Sequence, residues 1–365
     1  MRIAITDFSS YKAVVVARFL KFSYPQIKII TIDYRSYTKY FHSKYSDKHV
    51  VIKANSASDP AYVEQLAELI EQQNIDYLIP INSQELDVLL AARNKFGKSF
   101  EKSLAYWGEL KDYLSLHDKK QFQKLVSEAG LSIPQSYSSL ETAKLPVVFK
   151  PTTASSSKGV VYIYNEEERQ KLIQKELDNP SAAYVIQQFV EGKGVGFSGF
   201  FENGKIKRSH AHKRLAEFPI SGGSSVYRGA LLDDEKKLVR KAVKDLQKHI
   251  AWSGFAMFEF KMNDKGELFF IECNPRIWGS IHQGLANGEN YFFELLGEVK
   301  NKKSNDGYIN TYLSPLFWVS ILKYAIKGNF SPAKNFLSNW RNNRVDVGIF
   351  RDPIGWLALV FRSFS

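Results

Sequence analysis

This chain of 365 residues lacks the features that mark several classes of protein. Its one cysteine, Cys273, excludes an intramolecular disulfide framework and a cysteine-cluster metal site, and it favours a reducing compartment. No run of about 18 residues is both apolar and uncharged, and residues 1–10 lack the apolar segment of a secretory signal. We therefore expect a cytoplasmic protein without a membrane span.

Signatures of nucleic-acid and dinucleotide modules are also missing. The chain has no Walker-type phosphate loop and no pattern typical of an RRM, a zinc module or a helix-turn-helix. A G-x-G-x-x-G match at Gly194, Gly196 and Gly199 is followed by alternating residues and an Asn203-Gly204 hairpin signal, not by a helix pattern. We expect neither a dinucleotide site there nor a nucleic-acid partner.

Acidic residues are scarce in the last part of the chain. Residues 300–365 carry ten lysines and arginines against three aspartates, so +7 of the total charge of +12 lies there. They also hold Trp318, Trp340 and Trp356. Basic residues beside tryptophan are typical of segments that lie on anionic membrane surfaces. Two interpretations stay open: the segment completes the core of the catalytic part, or it docks on the inner face of the membrane.

Apolar residues are plentiful, at 44% hydrophobic and 14% aromatic, which excludes wholesale disorder. Strand and helix patterns alternate over residues 1–112 and predict a parallel sheet with helices on both faces. Residues 113–190 combine a helix, apolar strands and a serine-rich loop, whereas residues 191–299 are rich in hairpins. Residues 300–365 form the basic aromatic remainder, which we expect to be helical. The predicted class is α/β with α+β parts.

The strongest chemical pattern is a hairpin predicted over residues 255–276. Counting back from its turn places Glu259 opposite Phe270, so that Glu259 and Glu272 lie diagonally on one face, about 7–8 Å apart. Asn274 shares that face, because side chains alternate along a strand. Oxygen ligands of this kind suit Mg²⁺, and carboxylates among apolar neighbours usually have a partner. We therefore predict a metal site rather than solvated acids.

Three cations accompany these carboxylates. Arg276 comes two residues after Asn274 and is placed to stabilise charge in a phosphoryl or acyl transition state. Lys150 ends an apolar strand just before the loop at 152–159, whose N–H groups and hydroxyls suit a phosphate lid. The hydroxyls at its centre belong to Ser155, Ser156 and Ser157. Lys119 follows Asp118 at the start of a helix. By itself it could be an ordinary solvated lysine, and only the carboxylate hairpin makes it a candidate site residue.

These motifs, in this order, resemble those of the ATP-grasp superfamily over about residues 1–297. Residues 118–119 and 129–134 are similar to the family's entry motif, and residues 147–151 to the strand whose lysine contacts the nucleotide phosphates. Residues 185–192 resemble the hinge that lines the adenine pocket, and residues 258–260 and 270–276 the metal motifs. Lys193 and Gly194 stand where many members carry an acid for the ribose.

The resemblance implies a Rossmann-like pre-grasp domain at 1–112, a lid subdomain at 113–190 and a large subdomain at 191–299, with ATP gripped between antiparallel sheets. A helical extension at 300–365 would follow. The nucleotide contacts that it implies are Lys119, Lys150, Ser155, Ser156, Ser157, Gln188, Phe189 and Val190. The implied ligands of Mg²⁺, or of Mn²⁺, are Glu259, Glu272 and Asn274, with Arg276 as the catalytic residue.

Residues 210–214, 222–225 and 276–280 resemble the carbamoyl-phosphate-synthase-like group of carboxylate–amine ligases. This resemblance implies that ATP phosphorylates a substrate acid, such as an amino acid or a sugar-linked acid, and that an amine attacks the acyl phosphate. The implied substrate contacts are Lys213, Arg214, Gly223 and Ser224. Dimers are common in the superfamily, so a homodimer is expected. Two alternatives stay open: activation of bicarbonate, or a module that binds polyanions or a membrane surface.

Overall fold

The N-terminal part is a four-stranded parallel sheet covered by helices. The computed structural model describes residues 1–40, 42–153, 159–178, 183–299 and 307–362, without the side chains of 178 and 358–362. The strands are β1 (Arg2–Ile5), β2 (Lys28–Asp33), β3 (Lys48–Val51) and β4 (Tyr77–Ile79), in the order β3-β2-β1-β4. The helices are α1 (Tyr11–Ser23), α2 (Pro60–Gln72), α3 (Ser83–Ala92), α4 (Lys98–Ser103) and α5 (Leu110–His117).

Local sequence explains how these helices start. The Asp59 side chain caps α2 by accepting from the N–H of Ala61, and Pro60 occupies the first turn, where its missing N–H costs nothing. Asn82 caps α3 in the same way, by accepting from the N–H of Glu85. The strand and helix alternation predicted from the sequence is present, although the pattern did not reveal β3.

A small antiparallel sheet follows, with its own core. Its elements are α6 (Lys119–Glu128), β5 (Ser136–Tyr137), β6 (Val147–Pro151), β7 (Val161–Ile163), α7 (Glu166–Asp178) and β8 (Tyr184–Gln188), and the strand order is β5-β8-β6-β7. Phe149, Ile163, Leu172 and Ile186 pack together between the sheet and α7. Because Lys150 follows Phe149 along β6, its side chain leaves this core on the opposite face.

A seven-stranded sheet forms the largest part of the molecule. Its strands are β9 (Lys193–Glu202), β10 (Lys205–Phe218), β11 (Ser224–Gly229), β12 (Gly254–Met262), β13 (Leu268–Asn274), β14 (Asn310–Tyr312) and β15 (Asn343–Val345). Their order is β13-β12-β9-β10-β11-β14-β15. Asn203 and Gly204 both have positive φ angles, of 48° and 76°, and make the tight β9–β10 turn that the sequence predicts.

The remaining helices are α8 (Asp233–Leu246), α9 (Ile281–Ala286), α10 (Phe293–Leu296), α11 (Leu316–Ile326), α12 (Ser331–Ser338) and α13 (Pro353–Arg362). None of the helices in the described ranges is long and apolar enough to cross a bilayer.

The C-terminal extension is not purely helical, which corrects one feature of the prediction. β14 pairs with β11, and β15 pairs with β14, so the extension supplies two strands of the large sheet. The boundary predicted at residue 300 therefore does not separate two units of structure. One face of α11 also packs on this sheet, where Phe317 contacts Tyr227.

Candidate functional site

The two predicted metal-binding carboxylates face each other directly across β12 and β13. Glu259 pairs with Glu272, and Met257 pairs with Asn274. The predicted pairing of Glu259 with Phe270 is wrong, because the ladder starts one residue later and a β-bulge follows between Glu259 and Phe260. The later start and the bulge each move the register by one residue, so together they move it by two. A shift of two residues returns a side chain to the same face of a strand, so the prediction that Glu259, Glu272 and Asn274 share a face still holds.

Three cations and an amide surround the carboxylates. The guanidinium of Arg214, from β10, contacts the carboxylate of Glu259. The Lys119 Nζ lies 3.4 Å from Glu272 Oε2. The Asn274 Nδ2 donates to Glu272 Oε1 at 3.1 Å and to Glu259 Oε1 at 3.3 Å. Both carboxylates are thus held in place from several sides before any ligand arrives.

Lys150 is buried beside Lys119 and reaches the same region from β6. Its Nζ donates to the backbone carbonyl of Ile271 at 3.4 Å. The start of α6 is tied to the end of β6, because the N–H of Lys119 donates to the carbonyl of Thr152 at 2.9 Å. The predicted lid contacts Ser155, Ser156 and Ser157 follow this point and lie outside the described residues.

The electrostatics of the cluster follow from burial and from the mixture of charges. Burial, opposed by Glu272 and aided by Lys119, lowers the pKa of Lys150 to about 8. Burial also raises the pKa of Glu259, although Arg214 opposes this effect. For Glu272 the ammonium groups of Lys119 and Lys150 outweigh burial and lower the pKa. Glu272 is therefore the more strongly ionised member of the carboxylate pair.

These groups line one cleft of about 110 Å³ between the small and the large antiparallel sheets. The described lining contains eight of the predicted site residues, namely Lys119, Lys150, Gln188, Phe189, Val190, Arg214, Glu259 and Glu272. The hinge is fixed by its backbone, since the N–H of Gln188 donates to the carbonyl of Gln135 and that of Phe189 to Pro146. Phe189 also stacks edge-on against Tyr162.

Arg276 lies behind this cleft rather than in its lining. Its Nη2 donates to Asn274 Oδ1 at 2.6 Å, and its Nε donates to Ser83 Oγ of α3 at 3.0 Å. The side chain is only 7% exposed. Arg276 thus orients the Asn274 amide, so that the N–H groups of Asn274 point at the carboxylates.

The four predicted substrate contacts separate. Arg214 joins the carboxylate cluster, and its Nη1 donates to the carbonyl of Gly223 at 3.5 Å. Ser224 begins β11 opposite Phe218. Lys213 does not join the cluster, because as the neighbour of Arg214 on a strand it points to the other face. Burial there raises the pKa of Glu235, but Lys193, aided by Lys213, outweighs this effect and lowers it. The structure therefore brings Arg214 and Gly223 together and leaves Lys213 apart.

The glycine motif rejected as a dinucleotide site has a different use. A Cβ on Gly194 would lie 2.7 Å from Arg214 Cδ, and one on Gly196 would lie 2.5 Å from His212 Cε1. Both distances are shorter than real contacts of a Cβ. The bare backbone of β9 therefore lets the long side chains of β10 lie across it. This is how Arg214 reaches Glu259, which is two strands away from it.

Sequence reasoning missed several residues that line the cleft. They include Tyr162, Glu217 and Lys261. Lys261 could have been found, because strand alternation puts it on the same face as Glu259. Glu217 could not, since the bulges in β10 between Arg214 and Glu217 shift the face on which each residue lies.

The donor set at the cluster fits Mg²⁺ bound together with phosphates. Within the described ranges, no group of three or more His, Cys, Asp and Glu side chains could hold a metal ion by itself. Mg²⁺, however, is usually bound by one or two carboxylates, and substrate phosphates complete its coordination. Glu259 and Glu272 supply those carboxylates at one position of the ladder. Asn274 presents its N–H groups to this position, so its carbonyl oxygen is not turned toward it.

A second cavity, of about 990 Å³, lies elsewhere, between α1, the segment 282–299 and the C-terminal extension. Its described lining includes Arg18, Phe19 and Arg208, and it contains none of the predicted site residues. The predicted site residues therefore lie at the smaller cleft and not at this cavity.

Comparison with known sequences agrees with this geometry. A family model described as an ATP-grasp domain matches residues 116–280, a range that holds every residue of the carboxylate cluster. A D-alanine--D-alanine ligase of Fusobacterium nucleatum subsp. nucleatum is 23% identical over 168 residues, which cover 43% of this chain and 55% of that protein. The chain spans about half the length of the curated relatives it matches.

Solved structures resemble a larger part of the chain. The biotin carboxylase domain of a Hydrogenobacter thermophilus 2-oxoglutarate carboxylase has a TM-score of 0.61 and 18% identity, covering 76% of this chain and 64% of that one. An L-amino acid ligase from Bacillus licheniformis has a TM-score of 0.51 and 16% identity, covering 76% and 68%. These likenesses confirm the fold expected from the sequence motifs.

Proposed function

We propose that this chain, which contains an ATP-grasp domain at residues 116–280, is an ATP-dependent ligase that joins a carboxylate to an amine. The observation that supports this proposal is that Glu259 and Glu272 face each other directly at one end of the cleft. Three cations, Lys119, Lys150 and Arg214, lie around them, and the predicted hinge lines the cleft. Such a cleft suits a nucleotide whose phosphates end at the carboxylates. The chain is then an enzyme that uses ATP as a co-substrate.

Each group at the cleft has a role in this proposal. Lys119 and Lys150 bind the phosphates of ATP, and Gln188, Phe189 and Val190 line the adenine end. Glu259 and Glu272 would hold Mg²⁺, for which Mn²⁺ could substitute. The metal would neutralise the negative charge of the phosphates, which the two carboxylates would otherwise repel. The third predicted ligand, Asn274, instead acts here as a donor that spaces the two carboxylates.

The reaction passes the terminal phosphoryl group of ATP to the oxygen of a substrate carboxylate, which gives an acyl phosphate and leaves ADP. The resulting acyl phosphate is attacked by an amine nitrogen, a tetrahedral intermediate collapses, and phosphate leaves while the C–N bond remains. The acid is assigned to Arg214, a member of the cluster, and to the Gly223–Ser224 backbone, which Arg214 contacts through the Gly223 carbonyl. Arg276 acts through Asn274 as a positioning residue. No protein nucleophile is required.

The test is ADP release by the full chain with Mg²⁺, screened over amino acids and sugar acids, alone and in pairs with amines. We expect release to require one acid and to rise with one amine. Trapping with hydroxylamine should convert the acyl phosphate of the active acid into a hydroxamate. Bicarbonate as the only stimulating acid would favour the carboxylase-type alternative, and no stimulation by any acid would contradict the ligase proposal.

We further propose a cytoplasmic location, with peripheral contact of the C-terminal extension at the inner face of the membrane. The support is the charge of residues 307–357, whose two acids, Asp346 and Asp352, are both buried. A homodimer is also proposed; analytical ultracentrifugation of the full chain tests it.

A further inference from the structure

The surface of the C-terminal extension combines exposed apolar side chains with charge of one sign. All six cations within residues 307–357 are exposed, namely Lys323, Lys327, Lys334, Arg341, Arg344 and Arg351. Large apolar side chains lie exposed among them, including Trp318, Leu322, Ile326, Phe330, Leu337, Trp340 and Phe350. Single exposed apolar residues are ordinary, but a concentration of this size marks an interaction surface.

Helix α11 shows the arrangement most clearly, because it is apolar on two faces. At 100° per residue, Phe317, Ser320 and Tyr324 fall on the side that packs against the large sheet. A second group falls within an arc of about 100° on the other side. It consists of Trp318, Val319, Leu322 and Ile326, which are 50%, 41%, 62% and 76% exposed. Leu322 and Ile326 are the most exposed members of this outer face, while one side of the Trp318 ring packs on Tyr312 and Phe336.

The borders of the outer face indicate what covers it. Lys323 and Lys327 lie on the helix between the outer and the packed faces, one turn apart. Tryptophan beside leucine and isoleucine, bordered by lysine, is the composition of helices that lie in the plane of a membrane interface. A protein partner would more often meet a polar rim of both signs, whereas residues 307–357 expose no carboxylate. The charge favours an anionic lipid surface.

The packed face of α11 forms the back of the catalytic cleft. Ser320 Oγ donates to the carbonyl of Glu217 at 2.7 Å, and the N–H of Glu217 donates to Tyr324 Oη at 3.4 Å. The Glu217 carboxylate in turn accepts from Arg214 at 3.3 Å. The outer face thus lies about one helix diameter, roughly 10–12 Å, behind the wall of the cleft.

We propose that the outer face of α11 inserts into the headgroup layer of an anionic membrane leaflet, and that this docking holds the cleft at the membrane surface. The occupant of the face is the bilayer. This docking does not rest on the proposed ligase function.

The experiment is co-sedimentation of the full chain with vesicles of phosphatidylcholine, with and without phosphatidylglycerol, at about 0.05 M and about 0.5 M salt. We expect binding to require phosphatidylglycerol and to be lost at high salt. The double variants Leu322→Glu/Ile326→Glu and Lys323→Glu/Lys327→Glu should each lower the partition coefficient at least about tenfold, since both apolar contacts and surface lysines contribute. Leu177→Glu, on α7, is the matched control, because Leu177 is 72% exposed.

A label reports the inserted position directly. Since the native thiol of Cys273 is buried, an environment-sensitive dye attached to a Leu322→Cys variant should report only that site. We expect a blue shift of its emission with anionic vesicles and none for a Leu177→Cys variant.

Three results would overturn the proposal: no partition at low salt, partition that the α11 variants leave unchanged, or self-association that the variants abolish without any vesicle binding. The last result would assign the face to a second copy. Glu272→Gln should bind vesicles like the wild type, so loss of the ligase activity and loss of docking can be told apart.

Discussion

At the scale of single residues, the cleft is a balance of opposite charges under desolvation. Lys119, Lys150 and Arg214 face two carboxylates, and all five groups are largely withdrawn from water. Their ionisation states depend on one another, so removing one charge changes the neighbours as well as the contact.

Glu272 is the residue whose charge the proposed chemistry needs most. Glu272→Gln should lower ADP release at least about a hundredfold, which corresponds to about 2.7 kcal/mol of transition-state stabilisation. The fold should persist, because the amide has the same shape. ADP release and thermal unfolding measure the two effects.

The matched control for this variant is Glu267→Gln, an exposed position in the turn of the same hairpin. It should leave ADP release unchanged. Full activity of Glu272→Gln with Mg²⁺ as the only metal would contradict the metal assignment.

Lys150 should make nucleotide binding pH-dependent. The free enzyme holds Lys150 at a pKa of about 8, so the ammonium is lost as pH rises through 8. Phosphates favour the ammonium form, so the affinity for ATP should fall up to about tenfold per pH unit above that value, with uptake of a proton on binding. Calorimetry in buffers of different ionisation enthalpy measures both.

Arginine stays charged throughout this pH range, so Lys150→Arg should remove the fall in ATP affinity that begins near pH 8. Lys124→Arg, at an exposed position on α6, is the control and should retain it. If the affinity of Lys150→Arg for ATP still fell above pH 8, another group would be responsible for the pH dependence.

At the scale of elements, two of the three glycines of β9, Gly194 and Gly196, decide what the side chains of the neighbouring strand can reach. Gly194→Ala would push the Arg214 side chain away from Glu259, because the new Cβ would lie 2.7 Å from Cδ. We expect ADP release to fall at least about tenfold, with a loss of stability of about 1–3 kcal/mol typical of overpacking. Steady-state ADP release and urea unfolding give the two values.

A control of similar crowding is Gly108→Ala, whose Cβ would lie 2.8 Å from the Trp252 ring, at the other end of β12. It should lose stability but keep its activity per folded molecule. Equal loss of activity in both variants would show that crowding in general, not the position of Arg214, matters.

The hairpin shows how far sequence can predict an element. Alternation placed Glu272 and Asn274 on one face, because the period of a strand is fixed, and Glu259 shares that face because the error in register was an even number of residues. The pairing of the two acids depended on where the ladder starts and on a bulge, and neither leaves a signal in Phe270-Ile271. The part played by Arg276 was hidden for a related reason: it depends on Ser83, 193 residues away.

At the scale of the whole molecule, Asp346 ties the extension to the rest. Its carboxylate contacts the guanidinium of Arg228 on β11 and lies 3.0 Å from His282 Nδ1, while its carbonyl accepts from Arg18 of α1 at 2.7 Å. Arg228 and Asp346 are both fully buried. Asp346 therefore joins the extension to α1, β11 and α9.

Asp346→Asn should destabilise the full chain by about 3–5 kcal/mol, because it leaves the Arg228 charge buried without its partner. Burial opposes ionisation of Asp346, but Arg228 outweighs it and lowers the pKa. The stability that it contributes is present at neutral pH and is lost as pH falls through the folded pKa, so the variant should have less to lose on acidification. Urea unfolding at several pH values measures both.

Asp245→Asn, at the end of α8, removes a surface carboxylate paired with Lys241 and Lys248, and should leave the stability nearly unchanged because water screens both pairs. A similarly small effect of Asp346→Asn would show that the buried pair is not what holds the extension.

The strand order of the large sheet also determines when, during synthesis on the ribosome, β11 can pair with its neighbour β14. β11 ends at Gly229, but its neighbour β14 begins only at Asn310, and Arg228 precedes Asp346 by 118 residues. At 5–20 residues per second, a nascent chain would wait about 6–24 s between making that arginine and making its partner. During this interval β11 is an open sheet edge, the kind of edge that pairs with other chains. A ribosome-bound chain of this protein is therefore expected to need shielding by chaperones until residues 310–346 emerge.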